Sequence, residues 1–367
     1  MIIGIDGNEA NVSEKVGIGE YAYELLKQFQ KINTQSIKFE VYLKIPPRSE
    51  MPPPTSNFRY KIITPRKMWT QFTLPISLFL GKKPDVFFTP SHYAPRFSPV
   101  PTVISVMDLS FIRFPDLFAK KDLYQLKNWT SYSVKNAKKV LTISEFSKND
   151  IINEYKKEKN DVIVTYPGIK PNLDLKRKEN MNDLSKKFGI NKEYILFVGT
   201  LQPRKNIERL IEVFSKIDKD MLLIIVGKKG WLYEDILKAP EKFGVSDKVK
   251  FLDFVEDSEL PLLYKNALCF VLPSLYEGFG LPVLEAMKNG CPVITSNVSS
   301  LPEAGGDAAM YFNPEDSEDI AKAIKKVVND KNLREEMVKK GFLQVKKFSW
   351  EKTAKQTLKV LEEVASK

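Results

Sequence analysis

Two glutamates, Glu277 and Glu285, stand eight positions apart on either side of a turn that contains two glycines. The apolar run 267–273 before the turn is typical of a buried strand, and the run 282–289 after it is typical of a helix. A strand, a glycine turn and a helix N-terminus together favour anion binding, because the first helical N–H groups lack partners there. Each carboxylate could also accept two hydrogen bonds from the diol of a ribose or a sugar ring.

A pair of basic residues, Arg204 and Lys205, follows the strand-like run 194–199 and precedes a helix that starts near Asn206. Two cations at the start of a helix oppose the helix dipole unless an anion lies beside them. Arginine offers a planar two-pronged donor and lysine a mobile charge, and both keep their charge at neutral pH. The pair therefore predicts a diphosphate site, in preference to two solvated surface charges.

Further candidates lie in the first half of the chain, each just after a strand-like run. Gly17 and Gly19 precede a helix, where backbone N–H groups can approach a phosphate or a sugar, although a simple tight turn explains them about as well. Asp108 and the only histidine, His92, follow two runs that could be neighbouring strands, but a lone loop histidine is usually a surface residue. Ser144 is interpreted mainly as a helix N-cap.

Length and composition indicate an ordinary globular protein. A chain of 367 residues exceeds the size at which one core usually stops growing, so two domains are expected. No run approaches the roughly 18 apolar residues of a membrane span, and the first residues form a strand rather than a leader, so we expect a cytoplasmic protein. Cys269 and Cys291 lie in apolar runs and are expected to be buried thiols rather than zinc ligands.

Positive charge is concentrated in the first half of the chain. Residues 1–170 hold 25 lysines and arginines against 16 acidic residues, which leaves 32 against 30 for the rest. This imbalance suggests an anionic partner such as a membrane surface or an acidic lipid-linked acceptor, and a lysine-rich, well-solvated surface is the alternative. No groove-reading motif supports a nucleic-acid partner. The segment 66–80 mixes basic and bulky apolar residues and could either enter a membrane interface or cover a sheet.

Strand-like and helical patterns alternate along the chain. The strand-like runs are short and mostly apolar throughout, as expected for strands covered on both faces. They span residues 2–6, 39–43, 60–63, 85–89, 102–107, 139–143, 161–166, 194–199, 222–227, 249–254, 269–273, 292–295 and 309–312. Two doubly wound α/β domains follow from this alternation, with a boundary near the proline–glycine cluster 167–171. Ligands of such sheets bind beyond the carboxyl ends of the strands.

The segment from Glu277 to Glu285 resembles the Glu-x7-Glu signature of the family-4 retaining glycosyltransferases, which have the GT-B fold. The segment 199–206 is similar to the Gly-x-x-x-x-Arg-Lys-Asn element of that family, and 17–21 to its Gly-Ile-Gly-x-Tyr element. The segment 144–147 is similar to the Ser-Glu-Phe-Ser element of the family. The likeness covers nearly the whole chain.

The likeness is nearest to bacterial mannosyltransferase-like members that build surface polysaccharide or lipopolysaccharide, through the segments 17–21, 108–115 and 348–352. It implies two Rossmann-like domains facing a central cleft. Residues 1–170 would form the acceptor-side domain, with the C-terminal helix 350–367 packing back on it, and residues 171–349 would bind the nucleotide sugar.

The resemblance also implies roles for single residues. Glu285 would hold the ribose diol, Glu277 would hold sugar hydroxyls, and Arg204 and Lys205 would bind the diphosphate and stabilise the leaving group. Asp108 would be a further catalytic residue. The other implied donor-binding residues are Gly17, Gly19, Gly199, Val255, Gly278, Phe279, Gly280 and Leu281.

The chain departs from the family pattern at Met107, since many relatives carry histidine there, before the aspartate that corresponds to Asp108. That histidine is taken to contact the donor near the reacting carbon, so its absence bears on rate, sugar choice and catalysis itself. If the two strand-like runs are neighbours, His92 could reach the same region. His92, Met107 and Ser144 are therefore secondary candidates.

We expect a retaining, metal-independent hexosyltransferase without a cofactor, with mannose from GDP-mannose as the first candidate donor. The acceptor would be a glycan or lipid-linked glycan in cell-surface polysaccharide synthesis, reached from the cytoplasm or from the inner face of the membrane. The pattern Asp218-Lys-Asp220 precedes a strand-like run and is interpreted as a chance match to a metal motif. The alternatives are a sugar-nucleotide epimerase of the same architecture and a non-catalytic nucleotide-sugar-binding or carbohydrate-binding protein, the latter motivated by Met107.

Overall fold

A computed structural model describes residues 1–15, 17–32, 34, 36–170 and 181–366, of which residues 181–183 are described by their backbone alone. Contacts divide the chain into two compact units. Unit 1 consists of Met1–Gly168 together with Phe348–Lys367, and unit 2 consists of Ile169–Lys347. Part of the polar stretch that follows the predicted boundary lies outside the described residues.

Each unit contains one parallel sheet. The strands are β1 Ile2–Asp6, β2 Lys38–Leu43, β3 Phe58–Ile62, β4 Val86–Thr89, β5 Thr102–Ser105, β6 Lys139–Thr142, β7 Val162–Val164, β8 Tyr194–Val198, β9 Leu222–Val226, β10 Val249–Leu252, β11 Cys269–Leu272, β12 Val293–Ser296 and β13 Ala309–Phe312. In unit 1 the order across the sheet is β3-β2-β1-β4-β5-β6-β7, and in unit 2 it is β10-β9-β8-β11-β12-β13. Two doubly wound α/β sheets were predicted from the sequence, and this prediction is confirmed.

Helices follow most strands, as parallel pairing requires. They are α1 Ile18–Gln30, α2 Leu74–Leu80, α3 Ser110–Arg113, α4 Lys120–Asn136, α5 Glu145–Tyr155, α6 Met181–Phe188, α7 Ile207–Ser215, α8 Glu234–Lys242, α9 Leu260–Asn266, α10 Leu281–Lys288, α11 Leu301–Gly305, α12 Ser317–Asn329, α13 Lys331–Val345 and α14 Trp350–Ala365. None of the described helices is both long enough and apolar enough to cross a bilayer.

The core of unit 1 depends on the last helix of the chain. Ser349 is the N-cap of α14, because its Oγ accepts a hydrogen bond from the Lys352 N–H at 3.2 Å. Trp350 of α14 is buried in the same apolar cluster as Ile3 of β1. Its ring centroid lies 5.8 Å from that of Tyr21 on α1. Residues from both ends of the chain therefore share one core.

Every predicted strand bound agrees with the structure to within two residues, and three strands, β5, β7 and β10, are two or three residues shorter than predicted. β5 ends at Ser105 rather than at 107, and the chain turns at Asp108, whose Oδ1 accepts a hydrogen bond from the Ser110 N–H at 2.8 Å. β7 covers Val162–Val164 rather than 161–166, and it pairs with β6 alone because it lies at the edge of the sheet.

Candidate functional site

In unit 2, β8 lies between β9 and β11, so the strand order reverses beside β8. In a doubly wound sheet the crevice at such a reversal, beyond the carboxyl ends of the strands, is the place where ligands bind. The loop after β8 carries Arg204 and Lys205, and the loop after β11 carries Glu277. The topology thus brings together residues that are 72 and 73 positions apart in sequence.

A short 3-10 turn, Pro203–Lys205, presents the basic pair. Asn206 follows it with a left-handed backbone (φ 58°) and then α7 begins. The two loops are joined through their backbones, because the Leu275 N–H donates to the carbonyl of Arg204 at 2.9 Å. This connection fixes the position of the basic pair relative to the loop of Glu277.

The Glu277 carboxylate contacts both cations directly. Its Oε1 accepts from the Lys205 Nζ at 2.5 Å and from the Ser274 Oγ at 2.6 Å. Its Oε2 lies 3.2 Å from the Arg204 Nη1, which also donates to the carbonyl of Tyr276. We call Arg204, Lys205, Glu277 and Ser274 the ion cluster. It was predicted residue by residue, except for Ser274, but the pairing among its members was not.

The electrostatics of the ion cluster favour an additional anion. The three charged side chains are only 10–15% exposed. Burial alone would raise the pKa of the Glu277 carboxyl, but the charges of Lys205 and Arg204 outweigh it and lower this pKa from 4.5 to about 2. Glu277 is therefore ionised at neutral pH, and the charges of these three side chains sum to one positive charge. A phosphate can neutralise that poorly exposed charge.

Two serines from a distant loop hold the backbone of Glu277. The Glu277 N–H donates to the Ser299 Oγ at 3.0 Å, and the Ser300 Oγ donates to the Glu277 carbonyl at 2.7 Å. Sequence reasoning missed both serines, because they lie more than 20 positions away and form no local motif. Ser274 could have been found, since a hydroxyl three positions before a turn glutamate can bond its side chain.

Gly280 allows the turn of Glu277 to enter α10. Its φ of 98° is a conformation that side-chain-bearing residues rarely adopt. A Cβ atom there would also lie 2.8 Å from the Leu301 Cδ2. The side chain of Phe279 is buried and Gly278 has none, so these two residues can offer only their backbone for the predicted donor contacts, whereas Leu281 is half-buried.

Glu285 lies on α10 and is half-buried. The hydroxyl of Tyr264, on α9, donates to its Oε2 at 3.3 Å. Burial raises the pKa of Tyr264, and the neighbouring Glu285 charge raises it further, so the tyrosine stays protonated and remains a donor. Tyr264 was not predicted as a site residue. Its hydrogen bond holds the Glu285 carboxylate near α9.

Gly199, at the end of β8, approaches the next loop closely. A Cβ atom at Gly227 would overlap the carbonyl oxygen of Gly199, so the loops after β8 and β9 meet backbone to backbone. Val255, after β10, has a buried side chain. Its predicted contact with the donor would therefore also be made by backbone atoms.

In unit 1 the two loop glycines differ in what they require. Gly17 is the N-cap of α1 with a φ of 50° and has open space around a would-be Cβ. Gly19 has an ordinary φ, but a Cβ there would lie 2.9 Å from the carbonyl oxygen of Glu9. Gly17 is thus needed for its backbone conformation and Gly19 for a close approach of two chain segments.

His92 follows β4, and Asp108 follows the paired strand β5, as the neighbouring-strand hypothesis required. The interpretation of His92 as a surface residue is wrong, because it is 7% exposed and its ring centroid lies 6.0 Å from that of Phe111. Its Nδ1 is buried and has no hydrogen-bond partner among the described residues. Burial lowers the pKa of His92, against the opposing charge of Asp108.

Met107 is buried in the core cluster of unit 1 together with Val103 and Leu141. Its side chain therefore packs with apolar residues. Ser144 is confirmed as the N-cap of α5, since its Oγ accepts from the Ser147 N–H at 3.0 Å.

The Asp-x-Asp pattern lies just before β9, at the amino ends of the strands, whereas the ion cluster lies beyond their carboxyl ends. Asp220 pairs there with Lys192 at 2.7 Å. In the part of the chain that the structure describes, no three His, Cys, Asp or Glu side chains come close enough together to hold a metal ion. Cys269 and Cys291 are buried free thiols, as predicted.

Comparison with known proteins adds to this geometry. The family model described as "Glycosyl transferases group 1" matches residues 180–344. O-antigen chain mannosyltransferase B of Escherichia coli is 32% identical over 281 residues, which cover 75% of this chain and 74% of that protein. Serotype-specific mannosyltransferase WbdA of Escherichia coli is 36% identical over 182 residues, and this match spans 48% of this chain but only 22% of that longer protein.

Among solved structures, sucrose-phosphate synthase from Thermosynechococcus elongatus superposes with a TM-score of 0.77 and covers 100% of this chain and 99% of that one. At 18% sequence identity this likeness concerns the fold alone. The protein belongs to the group 1 glycosyl transferases, with the GT-B fold of two parallel-sheet α/β domains, and stands near bacterial mannosyltransferases within them.

Proposed function

We propose that the protein transfers a hexose from a nucleotide diphosphate sugar to a glycan or lipid-linked glycan acceptor during the synthesis of cell-surface polysaccharide. The observation that carries this proposal is the buried ion cluster, whose net positive charge lies at the strand reversal of unit 2. The names of the relatives make mannose the first candidate sugar, with GDP-mannose as its donor.

The donor is assigned to unit 2. Arg204 and Lys205 bind the diphosphate, and Glu285 accepts hydrogen bonds from the ribose diol, with Tyr264 holding its carboxylate in place. Glu277 keeps the two cations in position and accepts hydrogen bonds from sugar hydroxyls. Gly199, Val255 and the turn 278–281 contribute backbone groups.

Glu277 is poorly suited to act as a base, because a carboxylate with a pKa of about 2 binds a proton weakly at neutral pH. The acceptor proton therefore goes to the departing phosphate oxygen. In this step the bond between the anomeric carbon and the phosphate oxygen breaks, and the bond to the acceptor oxygen forms on the same face of the sugar. The nucleoside diphosphate leaves with the proton, and anomeric configuration is retained.

Charge on the leaving group develops next to Arg204 and Lys205. Two fixed cations with limited exposure stabilise such charge more strongly than cations in water, because the local dielectric constant is lower. We therefore propose that transfer requires neither a divalent metal ion nor a cofactor.

The acceptor is assigned to unit 1, where Asp108, as a catalytic residue, and His92 follow the paired strands β5 and β4. Gly17 and Gly19 keep the donor-binding role that the family resemblance implies. Protein and donor meet in the cytoplasm, at the inner face of the membrane where a lipid-linked acceptor would lie. Met107 is packed in the core of unit 1. His92 is the only histidine of the chain, and burial lowers its pKa against the charge of Asp108, which lies close enough to act on it.

The test is a donor panel. The purified protein is given UDP-, GDP- and ADP-sugars in the presence of EDTA, and release of nucleoside diphosphate is followed with and without lipid-linked acceptors. We expect acceptor-dependent release from one donor, GDP-mannose first. Epimerisation of a donor in the absence of acceptor would contradict the proposal and favour the sugar-nucleotide epimerase. Donor binding without any release of nucleoside diphosphate would favour the non-catalytic binding protein.

The Glu285→Ala variant tests the site within the same panel. Unpaired ribose hydroxyls should cost roughly 2–4 kcal/mol of transition-state stabilisation, which is about 30-fold to 900-fold in kcat/KM. Tyr264→Phe serves as the matched control and should have a smaller effect. Wild-type turnover by Glu285→Ala would contradict the assignment.

A further inference from the structure

A helical segment on the surface of unit 1, formed by the π-helical turn Trp69–Thr73 and α2, is apolar on two opposite faces. The first face packs against the sheet, and its residues are Trp69, Leu74 and Leu78. The second face is exposed to solvent. We call this face the apolar ridge, and its residues are Met68, Phe72, Ile76 and Phe79.

The apolar ridge is unusual for a surface helix. Its side chains are 51–58% exposed, although the solvent side of such a helix normally carries polar residues. Phe97, from the loop after β4, lies across a groove of about 500 Å³ from the ridge and is itself 76% exposed. Phe97 has a left-handed backbone (φ 51°), which is rare for a bulky residue. A contiguous exposed apolar surface of this kind marks an interaction site.

The charged side chains that contact the apolar ridge or line the grooves beside it, among the described residues, are Lys67, Lys83 and Arg96, and all three are basic. Residues 51–84 contain six basic and no acidic residues. The basic residues are Arg59, Lys61, Arg66, Lys67, Lys82 and Lys83. The Lys83 Nζ lies 5.8 Å from the centroid of the Phe79 ring, and Arg96 lines the groove, so cations border the apolar side chains directly.

We propose that the apolar ridge and its bordering cations dock the protein on an anionic lipid bilayer, with the ridge side chains among the acyl chains and the cations on lipid phosphates. A bilayer offers a negative surface directly above an apolar interior, which matches both parts of this surface. A second copy of the chain would instead bring like charges together. A nucleic acid would satisfy the cations but leave the exposed aliphatic side chains in water.

The first experiment measures binding of the full chain to vesicles by flotation, without donor or acceptor. We expect binding to vesicles of phosphatidylcholine with 30% phosphatidylglycerol, weaker binding at 0.5 M salt, and little binding to phosphatidylcholine alone. Because no nucleotide sugar is present, failure here would overturn the docking surface and leave the proposed transfer reaction unaffected.

Two variants locate the surface. Phe72→Ser/Ile76→Ser/Phe79→Ser should weaken binding at least tenfold, whereas Phe342→Ser/Leu343→Ser, on exposed residues of α13 in unit 2, should not. Lys82→Glu/Lys83→Glu should weaken it about 25-fold or more, at about fivefold for each lysine lost near an anionic surface. Its control is Lys325→Glu/Lys326→Glu, on α12 of unit 2, which changes the net charge of the protein by the same amount. Equal losses in the test and control variants would overturn the proposal in favour of binding by net charge.

Insertion is measured with a fluorophore attached to the variant Phe79→Cys. The two native cysteines are buried, so the introduced, exposed thiol is labelled selectively. We expect the emission to shift to the blue on vesicles and to be quenched by brominated acyl chains, and a label on the variant Leu343→Cys to show neither effect. An unquenched label, or a wild-type dimer that the ridge variant converts to a monomer without any vesicle binding, would overturn the proposal.

Discussion

Glu277 combines an electrostatic and a geometric role in one side chain. Its carboxylate neutralises one of two poorly exposed cations, while Ser274, Ser299 and Ser300 fix its side chain and backbone. The separate identities of Arg204, Lys205 and Glu277 could be predicted because each stands in a recognisable local context. Their pairing could not, because it depends on two loops that meet only when β8 and β11 are adjacent.

Glu277→Gln removes the negative charge and keeps the shape of the side chain. We expect the free energy of unfolding at pH 7 to fall by about 2–3 kcal/mol, because two poorly exposed cations lose their counter-charge. Urea denaturation measures the change. Lys192→Gln, which breaks the exposed pair with Asp220, is the matched control and should change this free energy by less than about 0.5 kcal/mol.

The effect of Glu277→Gln on the free energy of unfolding should depend on pH. The folded-state pKa of Glu277 lies below its unfolded value, so its stabilising contribution is present above pH 4.5 and is lost as the pH falls towards about 2. The difference in unfolding free energy between wild type and Glu277→Gln should therefore shrink over that range. A difference that stays constant between pH 4.5 and 2 would show that Glu277 is not the titrating group.

Arg204→Ala should lower kcat/KM by about 100-fold to 1000-fold, which is the usual effect of removing one hydrogen-bond donor that stabilises negative charge in the transition state. Arg59→Ala is the control, because Arg59 lies exposed on the edge strand β3 of unit 1. Circular dichroism at the assay temperature checks that both variants are folded. Equal activity of the two variants would remove Arg204 from the site.

His92 can be titrated directly, because it is the only histidine and its Cε1–H resonance in an untagged chain needs no assignment. We expect its pKa in the folded protein to lie below 6.5, since burial disfavours the charged ring. Folding then loses stability as the pH falls below 6.5, where the unfolded chain binds a proton that the folded chain does not. Asp108→Asn should lower this pKa further, and a rise would contradict the predicted interaction.

At the scale of elements, most strands could be located from the sequence because they are short, continuously apolar runs bounded by polar turns. β1 and β13 were predicted at their observed bounds. The edge strand β7 was predicted too long, because pairing with a neighbour, which a single sequence does not reveal, decides where a strand ends. The burial of His92 was missed for a similar reason, since α3 supplies Phe111 against its ring.

Gly280→Ala tests how the turn enters α10. The added Cβ meets both an unfavourable φ and the Leu301 side chain at 2.8 Å, so we expect a loss of roughly 2 kcal/mol or more and weaker donor binding. Gly244 has a φ of 68°, and no atom lies within 4 Å of a Cβ added there. The variant Gly244→Ala therefore measures the cost of the left-handed backbone conformation alone, which we expect to be about 1 kcal/mol. Urea denaturation compares the two. Equal losses would show that Leu301 adjusts freely.

At the scale of the whole molecule, two parallel sheets each have their own core, and the last helix belongs to the first of them. Helical periodicity alone could predict α14 but not the core it joins. That placement came from the family resemblance, and in the structure the buried face of α14 includes Trp350, Leu361 and Val364.

Trp350→Ala should therefore destabilise unit 1 selectively, by about 3–5 kcal/mol, because a large side chain leaves a cavity in its core. Hydrogen exchange followed by mass spectrometry should show lost protection in peptides from residues 1–168 and unchanged protection in 181–347. Lys359→Ala, on the exposed face of the same helix, should change neither. Lost protection confined to residues 181–347 would contradict the assignment of α14.

The position of α14 also sets an order of events during synthesis of the chain. The ribosome releases residues 350–365 after every strand of both sheets, yet Trp350 fills the core around Ile3 and Ile5. The strands and helices of unit 2 are all available before that core can close. Domains usually complete folding in the order in which they emerge. Here the unit whose strands emerge first can be completed only once residues 350–365 have emerged, and until then the apolar side chains that pack against α14 lack their partner.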